Sequence, residues 1–182
     1  GRLAHAFLLT GIRGVGKTTT ARIIAKALNC IGDGSKEDPS FEICNNCSPC
    51  KSINNGNFLD VIEVDAASRT GVDGIREIID SVIYSPNNAR YKVYIIDEVH
   101  MLSNAAFNAL LKTLEEPPQN VKFIFATTEI KKIPATIISR CQKFDLQRVD
   151  LKTLSNHLKN ICQNESISFD NDSISHICKA SE

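Results

Sequence analysis

The segment at residues 11–18 reads GIRGVGKT and constrains this chain of 182 residues more than any other feature, because it has the form GxxxxGKT. An apolar run at residues 7–9 comes just before it, and apolar residues at helical spacing follow it over residues 21–28. A buried strand, a glycine-rich loop and an amphipathic helix in this order form the setting that a phosphate-binding loop requires. A glycine-rich turn that precedes a helix by chance would not need the whole motif. The segment therefore predicts nucleotide binding.

Each part of this loop has a chemical role in the prediction. Glycines let the backbone turn its N–H groups inward, where they meet the partial positive charge at the start of the following helix and form an anion-binding cradle. We expect Lys17 to reach the β- and γ-phosphates of ATP and Thr18 to bind Mg²⁺. The predicted nucleotide-binding residues are Gly11, Ile12, Arg13, Gly14, Val15, Gly16, Lys17 and Thr18.

Four of the seven cysteines follow the spacing C-x13-C-x2-C-x2-C, at Cys30, Cys44, Cys47 and Cys50. The seven are an odd number and are not spaced like a disulfide framework. Four thiolates at this spacing suit tetrahedral Zn²⁺, and because the protein supplies all four ligands, the prediction is a structural zinc site. An iron–sulfur cluster and free thiols are the alternatives, but nothing else in the chain indicates redox chemistry.

A second acidic signature ends the apolar run at residues 93–98. Asp97 is predicted to bind Mg²⁺, directly or through water, and Glu98 to orient and polarise the water that attacks ATP. At the carboxyl end of a strand, both carboxylates would lie in the crevice where open α/β sheets bind ligands. The alternative is an exposed acidic pair that caps the next helix.

Thr127 and Thr128 end another apolar strand, at residues 121–126. A hydroxyl at this strand end would lie beside the acidic pair and could sense the γ-phosphate through water. The alternative is that a threonine here only caps the strand.

The predicted strands alternate with helices, which indicates an α/β fold with a mostly parallel sheet and right-handed crossovers. We assign residues 1–147 to this domain, with a zinc-binding insert at residues 30–51. Apolar residues at helical spacing over residues 148–182 predict two helices, the start of a small helical lid domain. The five predicted strands are residues 5–10, 59–64, 93–98, 121–126 and 141–146.

The bulk composition is that of a globular protein, with 42% hydrophobic residues and a net charge of zero. No global positive field indicates nucleic acid, so a local patch or partner chains would have to supply any such contact. No apolar run approaches the roughly 20 residues that a bilayer span needs. We therefore expect a cytoplasmic protein without membrane contact.

Several segments, taken in order, carry a family resemblance: GIRGVGKTTTARIIAKALNC, the four cysteines, DAASRTGVDGIREI, VYIIDEVHML, FNALLKTLEEPP, FIFATTE and ISRC. They closely resemble the gamma/tau subunits of bacterial DNA polymerase III clamp loaders, a family of AAA+ ATPases. The cysteine insert after the P-loop helix, together with DEVHML and SRC, is what makes the resemblance specific. By this resemblance, the chain starts after a segment that helps to hold adenine and ends where the helix with the sensor 2 arginine would begin.

The resemblance implies roles for individual residues. Residues 11–18 correspond to Walker A, and Asp97 and Glu98 correspond to Walker B. Thr128 corresponds to sensor 1, and Arg140 in the SRC segment corresponds to an arginine finger that reaches ATP bound by the neighbouring subunit. The four cysteines match the zinc ligands of the family.

The resemblance also implies partners: other clamp-loader subunits in a hetero-oligomeric ring, a sliding clamp and primer–template DNA. ATP binding would assemble the ring on clamp and DNA, and hydrolysis would release both during DNA replication. A branch-migration motor and a nucleotide-insensitive zinc adaptor are the competing hypotheses. The cysteine insert and SRC argue against the first, and intact Lys17, Asp97 and Glu98 argue against the second.

Overall fold

The computed structural model describes residues 3–34, 38–68 and 72–181, without the side chains of residues 72 and 73. Residues 35–37 of the cysteine insert and residues 69–71 of the segment DAASRTGVDGIREI lie outside the described residues. The chain divides into two compact units, Gly1–Leu146 and Gln147–Glu182, and each is described by itself.

The first unit contains a five-stranded sheet in which all strand pairs are parallel, in the order β2-β3-β4-β1-β5. The predicted α/β class and strand count are confirmed. Parallel neighbours bring their carboxyl ends to one edge, and β4 lies between β1 and β3 there. The strands are β1 (Ala6–Thr10), β2 (Val61–Asp65), β3 (Lys92–Asp97), β4 (Val121–Thr127) and β5 (Gln142–Asp145).

Seven helices accompany these strands in the described part of the chain. Helix α4 begins after Ser103, which caps it: its hydroxyl accepts a hydrogen bond from the Ala106 N–H at 3.2 Å. The helices are α1 (Lys17–Asn29), α2 (Ser48–Asn54), α3 (Val72–Val82), α4 (Asn104–Glu115), α5 (Ala135–Ile138), α6 (Leu151–Asn164) and α7 (Asn171–Ala180).

Successive side chains of each strand point to opposite faces of the sheet, and each face packs in its own hydrophobic cluster. Phe7 and Leu9 of β1 share one hydrophobic cluster with the buried face of α1. Leu8 belongs to the other cluster, which also contains Ile75 of α3 and Phe107 of α4. Both faces of β1 are therefore buried, and the loop that follows it starts from a strand packed on both sides.

Helix α2, which the sequence analysis did not predict, begins within the cysteine insert and runs three residues past it. Only Pro49, Cys50 and Ile53 are buried in its seven residues. So short an apolar pattern cannot be distinguished from a loop by periodicity alone. Asn45, just before it, has a φ of 57° and turns the chain between Cys44 and Cys47.

The second unit is a pair of helices that pack against each other, α6 and α7. Asp150 caps α6 and Asp170 caps α7, each by accepting a backbone N–H three residues on. Ile174 is buried in α7, but Ile177 is 53% exposed, so one expected apolar position of this helix faces solvent. Among the described helices, none has the length and apolar character needed to cross a bilayer.

Candidate active site and metal centre

A pocket of about 970 Å³ lies at the carboxyl edge of the sheet, where the loop after β1 meets the ends of β3 and β4. Gly11 and Val15 belong to the loop but do not line the pocket. The lining residues are Ile12, Arg13, Gly14, Gly16, Lys17, Thr18, Thr19, Asp65, Ala67, Asp97, Glu98, His100, Met101 and Thr128.

The glycine-rich loop has the conformation that its sequence predicts. Gly16 forms the N-cap of α1 with a φ of 95°, in the left-handed region that favours glycine. Lys17 follows at the first turn of the helix and is only 6% exposed. Its Nζ donates hydrogen bonds to the carbonyl oxygens of Gly11 at 3.0 Å and Ile12 at 2.9 Å. The ammonium group is thus held inside the loop, where an anionic phosphate would find it.

Thr18 and Asp97 meet directly although they are 79 residues apart in the chain. The Thr18 hydroxyl donates to Asp97 Oδ2 at 2.5 Å, and Asp97 Oδ1 accepts the N–H of Glu98 at 2.8 Å. A hydroxyl and a carboxylate are oxygen ligands of the kind that Mg²⁺ takes from P-loop proteins. The donor set that the sequence predicts is therefore brought together and fits a magnesium ion.

Glu98 is placed by an unusual backbone conformation, with φ 44° and ψ 45°. Only a few per cent of residues other than glycine have a positive φ, and such residues occur often at active sites. The turn directs the carboxylate of Glu98 to Thr128, whose N–H and hydroxyl donate to Oε2 at 3.3 and 3.1 Å. The structure therefore joins the predicted water-polarising acid and the predicted sensor.

His100 is a pocket residue that the sequence analysis did not single out. Its side chain is 7% exposed, and its Nδ1 lies 3.0 Å from Thr127 Oγ1 and 3.3 Å from Glu98 Oε2. Its Nε2 lies 3.4 Å from Glu129 Oε1. The hydrogen bond from Lys132, and then its charge and that of His100, hold the pKa of Glu129 below the usual range. A histidine two residues after an acidic pair was the available signal. Asp65 and Met101 also line the pocket without having been predicted.

Arg140 does not line this pocket. Its guanidinium donates to Glu115 Oε1 at 2.6 Å and to the Thr136 carbonyl at 2.7 Å, and the side chain is 33% exposed. The predicted arginine finger is therefore separate from the nucleotide pocket of its own chain.

The four predicted metal ligands converge at the end of α1. The Sγ atoms of Cys30, Cys44, Cys47 and Cys50 all lie within 4.8 Å of one another. Tetrahedral Zn²⁺ with Zn–S bonds of about 2.3 Å would separate its sulfurs by about 3.8 Å. The N–H groups of Cys44 and Cys47 lie 3.5 Å from Cys30 Sγ and 3.3 Å from Cys44 Sγ. The cluster fits a four-thiolate metal site.

The surroundings of these thiols favour ionisation at two of them. The N–H of Cys47, with that of Asn46, lowers the pKa of Cys44 to about 6. The pKa of Cys30 is also lowered, because backbone N–H groups of Cys44 and Gly32 together outweigh the opposing effect of burial. Burial raises the pKa of Cys50 well above its usual range. A bound cation would be needed to ionise this last thiol, since coordination deprotonates a thiol outright.

Comparison with protein families matches residues 1–150 to the family described as DNA polymerase III, delta subunit. The chain belongs to this family. Among curated members of the DNA polymerase III group, the subunit tau/gamma of Haemophilus influenzae is 52% identical over 181 residues, or 100% of this chain and 26% of the relative. The subunit gamma of Buchnera aphidicola from Acyrthosiphon pisum is 55% identical over 97% of this chain and 48% of its own length.

The resemblance to gamma/tau subunits is confirmed by these identities and by the tau subunit of Escherichia coli, which is 48% identical over 182 residues. That match covers 100% of this chain and 28% of the relative. The chain therefore spans between about a quarter and a half of the length of these DNA polymerase III relatives.

Solved structures share the fold at lower identity. A gamma subunit-related protein of DNA polymerase III from Thermotoga maritima has a TM-score of 0.57 at 21% identity, over 85% of this chain and 45% of its own. The RuvB Holliday junction branch migration motor of Thermotoga maritima has a TM-score of 0.64 at 20% identity, over 98% of this chain and 49% of its own. The chain thus shares with these two proteins its α/β fold with a parallel sheet and a loop of the P-loop form after β1.

Proposed function

We propose that this chain is the ATP-binding and ATP-hydrolysing part of a motor subunit of the bacterial DNA polymerase III clamp loader. The observation that carries the proposal is the contact of Thr18 with Asp97 beside Lys17, with Glu98 and Thr128 at the same pocket. Phosphate binding, metal binding and water activation all need groups of these kinds within one crevice. The identity of 48–55% to gamma and tau subunits supports the same activity.

Each side chain has a definite part in this mechanism. Lys17 exchanges its two carbonyl acceptors for the β- and γ-phosphate oxygens of ATP, while the loop N–H groups of residues 11–18 bind the same phosphates. Thr18 and Asp97 would hold Mg²⁺, which when bound would neutralise charge on the phosphates. Glu98 accepts a proton from water as the water oxygen bonds to the γ-phosphorus and the bond to the bridging oxygen breaks. The products are ADP and inorganic phosphate, and Thr128 fixes the Glu98 carboxylate through Oε2.

The cysteine cluster has a structural role in the proposal. Cys30, Cys44, Cys47 and Cys50 would hold one Zn²⁺, and none of them lines the nucleotide pocket. With four protein ligands the ion has no open position for a substrate. Its role is to fix the polar insert to the end of α1.

Arg140 acts in the neighbouring subunit's site under this proposal. Its position outside the pocket of its own chain is compatible with that role. A guanidinium beside the developing charge on the γ-phosphate lowers the barrier to hydrolysis. The partners are other clamp-loader subunits in a ring, a sliding clamp and primer–template DNA, and the site of action is the cytoplasm.

Replacement of Lys17 by alanine tests the nucleotide site. We expect Lys17→Ala to weaken ATP binding by at least about 100-fold, because the loop loses its charge-assisted contacts with two phosphates while the hydrophobic clusters remain intact. Equilibrium titration with a fluorescent ATP analogue measures the affinity. Lys112→Ala, at an exposed position of α4, is the matched control. Unchanged affinity in Lys17→Ala would refute the assignment of the site.

A further inference from the structure

His100 lies at the centre of a group of polar side chains that the roles above leave unexplained. It belongs to a short 3₁₀ turn, Val99–Met101, that follows β3 directly. The left-handed conformation of Glu98 begins this turn and brings residue 100 back to the end of β4. The imidazole is almost completely buried there, between the end of β4 and the carboxylate of Glu98.

The two oxygens of the Glu98 carboxylate differ in their contacts. Within the described part of the chain, its contacts with Thr128 and with His100 all use one oxygen, Oε2. A carboxylate held by one oxygen keeps the other for a further acceptor role. Oε1 is therefore the oxygen that is left for the attacking water.

The position of the imidazole is itself fixed from two sides. Thr127, which is fully buried at the end of β4, contacts Nδ1 through its hydroxyl at 3.0 Å, and the same hydroxyl accepts the N–H of Glu129 at 3.0 Å. On the opposite edge of the ring, Nε2 lies 3.4 Å from Glu129 Oε1. Lys132 Nζ lies 2.9 Å from the same Glu129 oxygen. An imidazole ring with contacts at both nitrogens has little freedom to rotate. Its Nδ1 therefore keeps its position next to Glu98 Oε2.

We propose that His100 is a positioning residue for Glu98: its Nδ1 holds Oε2 beside Thr128, so that Oε1 faces the attacking water. This inference rests on the proposed ATPase function of the pocket and deepens it. Glu98 Oε2 and Glu129 Oε1 are carboxylate oxygens that only accept hydrogen bonds, so these two contacts need a proton on each ring nitrogen. Loss of the His100 contact should lower kcat rather than ATP affinity, because ATP binds to other groups in the pocket. A misplaced Glu98 carboxylate would still allow ATP to bind but would fail to align the attacking water.

Three substitutions of His100 separate this role from others. His100→Ala removes both ring nitrogens, and we expect it to lower kcat for ATP hydrolysis about tenfold with the ATP dissociation constant changed less than about twofold. The side-chain amide nitrogen of asparagine occupies about the position of Nδ1, and that of glutamine about the position of Nε2. His100→Asn should therefore restore kcat to within about threefold of the parent, and His100→Gln should resemble His100→Ala.

The measurements use the full-length chain assembled with its partner subunits, with clamp and primed DNA present. His157→Ala, at an exposed position of α6, is the control for loss of a histidine. Thermal unfolding of each variant identifies loss of folding, and the ranking of Asn above Gln is then compared only among folded variants of equal Tm. A purely structural role would move Tm and not produce this ranking.

The outcomes are distinct. Parent-like kcat in His100→Ala, equal kcat in the Asn and Gln variants, or a loss confined to ATP affinity would each overturn the positioning role. Glu98→Gln, measured in parallel, reports on the proposed function: if it is inactive while His100→Ala is fully active, only the inference about His100 fails. If Glu98→Gln hydrolyses ATP normally, the proposed function fails and the role of His100 fails with it.

Discussion

Gly11 shows how closely the phosphate-binding loop is fitted to its surroundings. Its φ is +150°, and a Cβ built on it would lie 2.6 Å from the carbonyl oxygen of Leu146 and 3.0 Å from Val15 Cγ1. The N–H of Leu146 bonds to the Thr10 carbonyl at 2.8 Å, so the backbone that would have to move is held in place. Glycine is therefore required at this first motif position for two reasons: a side chain would clash with the Leu146 carbonyl oxygen, and the backbone has a positive φ.

Gly11→Ala should destabilise the first unit by about 1–3 kcal/mol and weaken ATP binding, because the loop must shift to relieve the contact with Leu146. Chemical denaturation measures the free energy of unfolding, and fluorescent nucleotide titration measures the affinity. Gly34→Ala is a matched control, since Gly34 has a φ of +100° but nothing within 4 Å of an added Cβ. Equal effects of the two substitutions on ATP affinity would contradict this account of Gly11.

The side chains that line the pocket differ in how far the sequence could predict them. Lys17 and Thr18 follow from a local motif, and Asp97 and Glu98 follow from an apolar strand that ends in two acids, so short-range pattern was sufficient. His100 was missed because its place in the pocket depends on the positive φ of Glu98, and a glutamate gives no local signal for that conformation.

Among the elements, the cysteine insert is tied to the sheet through the end of α1. Arg90 donates to the carbonyl oxygens of Leu28 at 2.9 Å and Cys30 at 2.6 Å. The side chain of Asn29 exchanges two hydrogen bonds with the backbone of Tyr91, at 3.0 and 2.9 Å. Loss of order in the insert should therefore stop at Cys30, because residues 28–30 keep these contacts to the segment before β3.

Cys47→Ser should reduce the zinc content of the purified chain and increase proteolysis within residues 30–51, because the insert loses a ligand of the ion that stabilises it. Structural zinc contributes roughly 10–16 kcal/mol to small sites of this kind. ATP affinity should stay within about twofold, since none of the four cysteines lines the pocket. Elemental analysis and limited proteolysis are the measurements.

Cys162→Ser is the control for the cysteine substitution, because Cys162 lies in α6 and outside the cluster. Chelation of the parent chain should reproduce the proteolysis pattern of Cys47→Ser. Iron with sulfide in the parent, or no metal in protein purified without chelator, would overturn the zinc assignment.

The helices show where periodicity was informative and where it was not. Helix α4 was predictable because a serine cap, an apolar face and Pro117 all agree on its limits. Helix α2 was not, because its seven residues follow cysteines whose packing depends on the cluster rather than on an apolar stripe.

At the scale of the whole molecule, the proposed role of Arg140 is to act on ATP bound by a neighbouring chain. In the isolated chain, Arg140 is paired with Glu115, 25 residues away in sequence, and lies outside its own pocket. An ion pair of such exposed groups is worth less than about 1 kcal/mol, so it presents little obstacle to a move toward a phosphate. Sequence alone could place Arg140 only by family resemblance, because no local pattern encodes a pairing over this separation.

Mixed rings distinguish an arginine that acts between subunits from one that acts within a subunit. Rings made only of Arg140→Ala chains should lose at least about 100-fold in ATP turnover while still binding ATP. When Arg140→Ala chains are mixed with Lys17→Ala chains, activity should reappear wherever an intact Arg140 lies beside an intact Lys17 site. A finger that acts within its own chain predicts no recovery.

Arg148→Ala, at an exposed position, is the control for loss of an arginine charge. Normal turnover by Arg140→Ala rings with clamp and primed DNA present would show that the side chain is a surface arginine. The mixed rings also test whether copies of this chain are neighbours in the ring. ATP turnover can recover only where an Arg140→Ala chain lies beside a Lys17→Ala chain.

The fold by itself does not decide between a branch migration motor and a clamp-loader subunit. RuvB shares it at 20% identity, and so does a gamma subunit-related protein at 21%. The cysteine cluster and the gamma and tau relatives, at about half identity, are what favour the clamp loader. The parallel sheet followed from strands that alternate with helices in the sequence, whereas the proposed ring would depend on surfaces of several chains.

Glu98→Gln gives the most direct test of the account, because the substitution keeps the size of the side chain and removes its capacity to accept a proton. In the full-length chain assembled with its partners, clamp and primed DNA, ATP affinity should stay within about twofold of the parent. Steady-state hydrolysis should fall by about 100-fold or more. Hydrolysis at the parent rate, with the variant folded and ATP bound, would contradict the claim that this pocket is an ATPase site driven by Glu98.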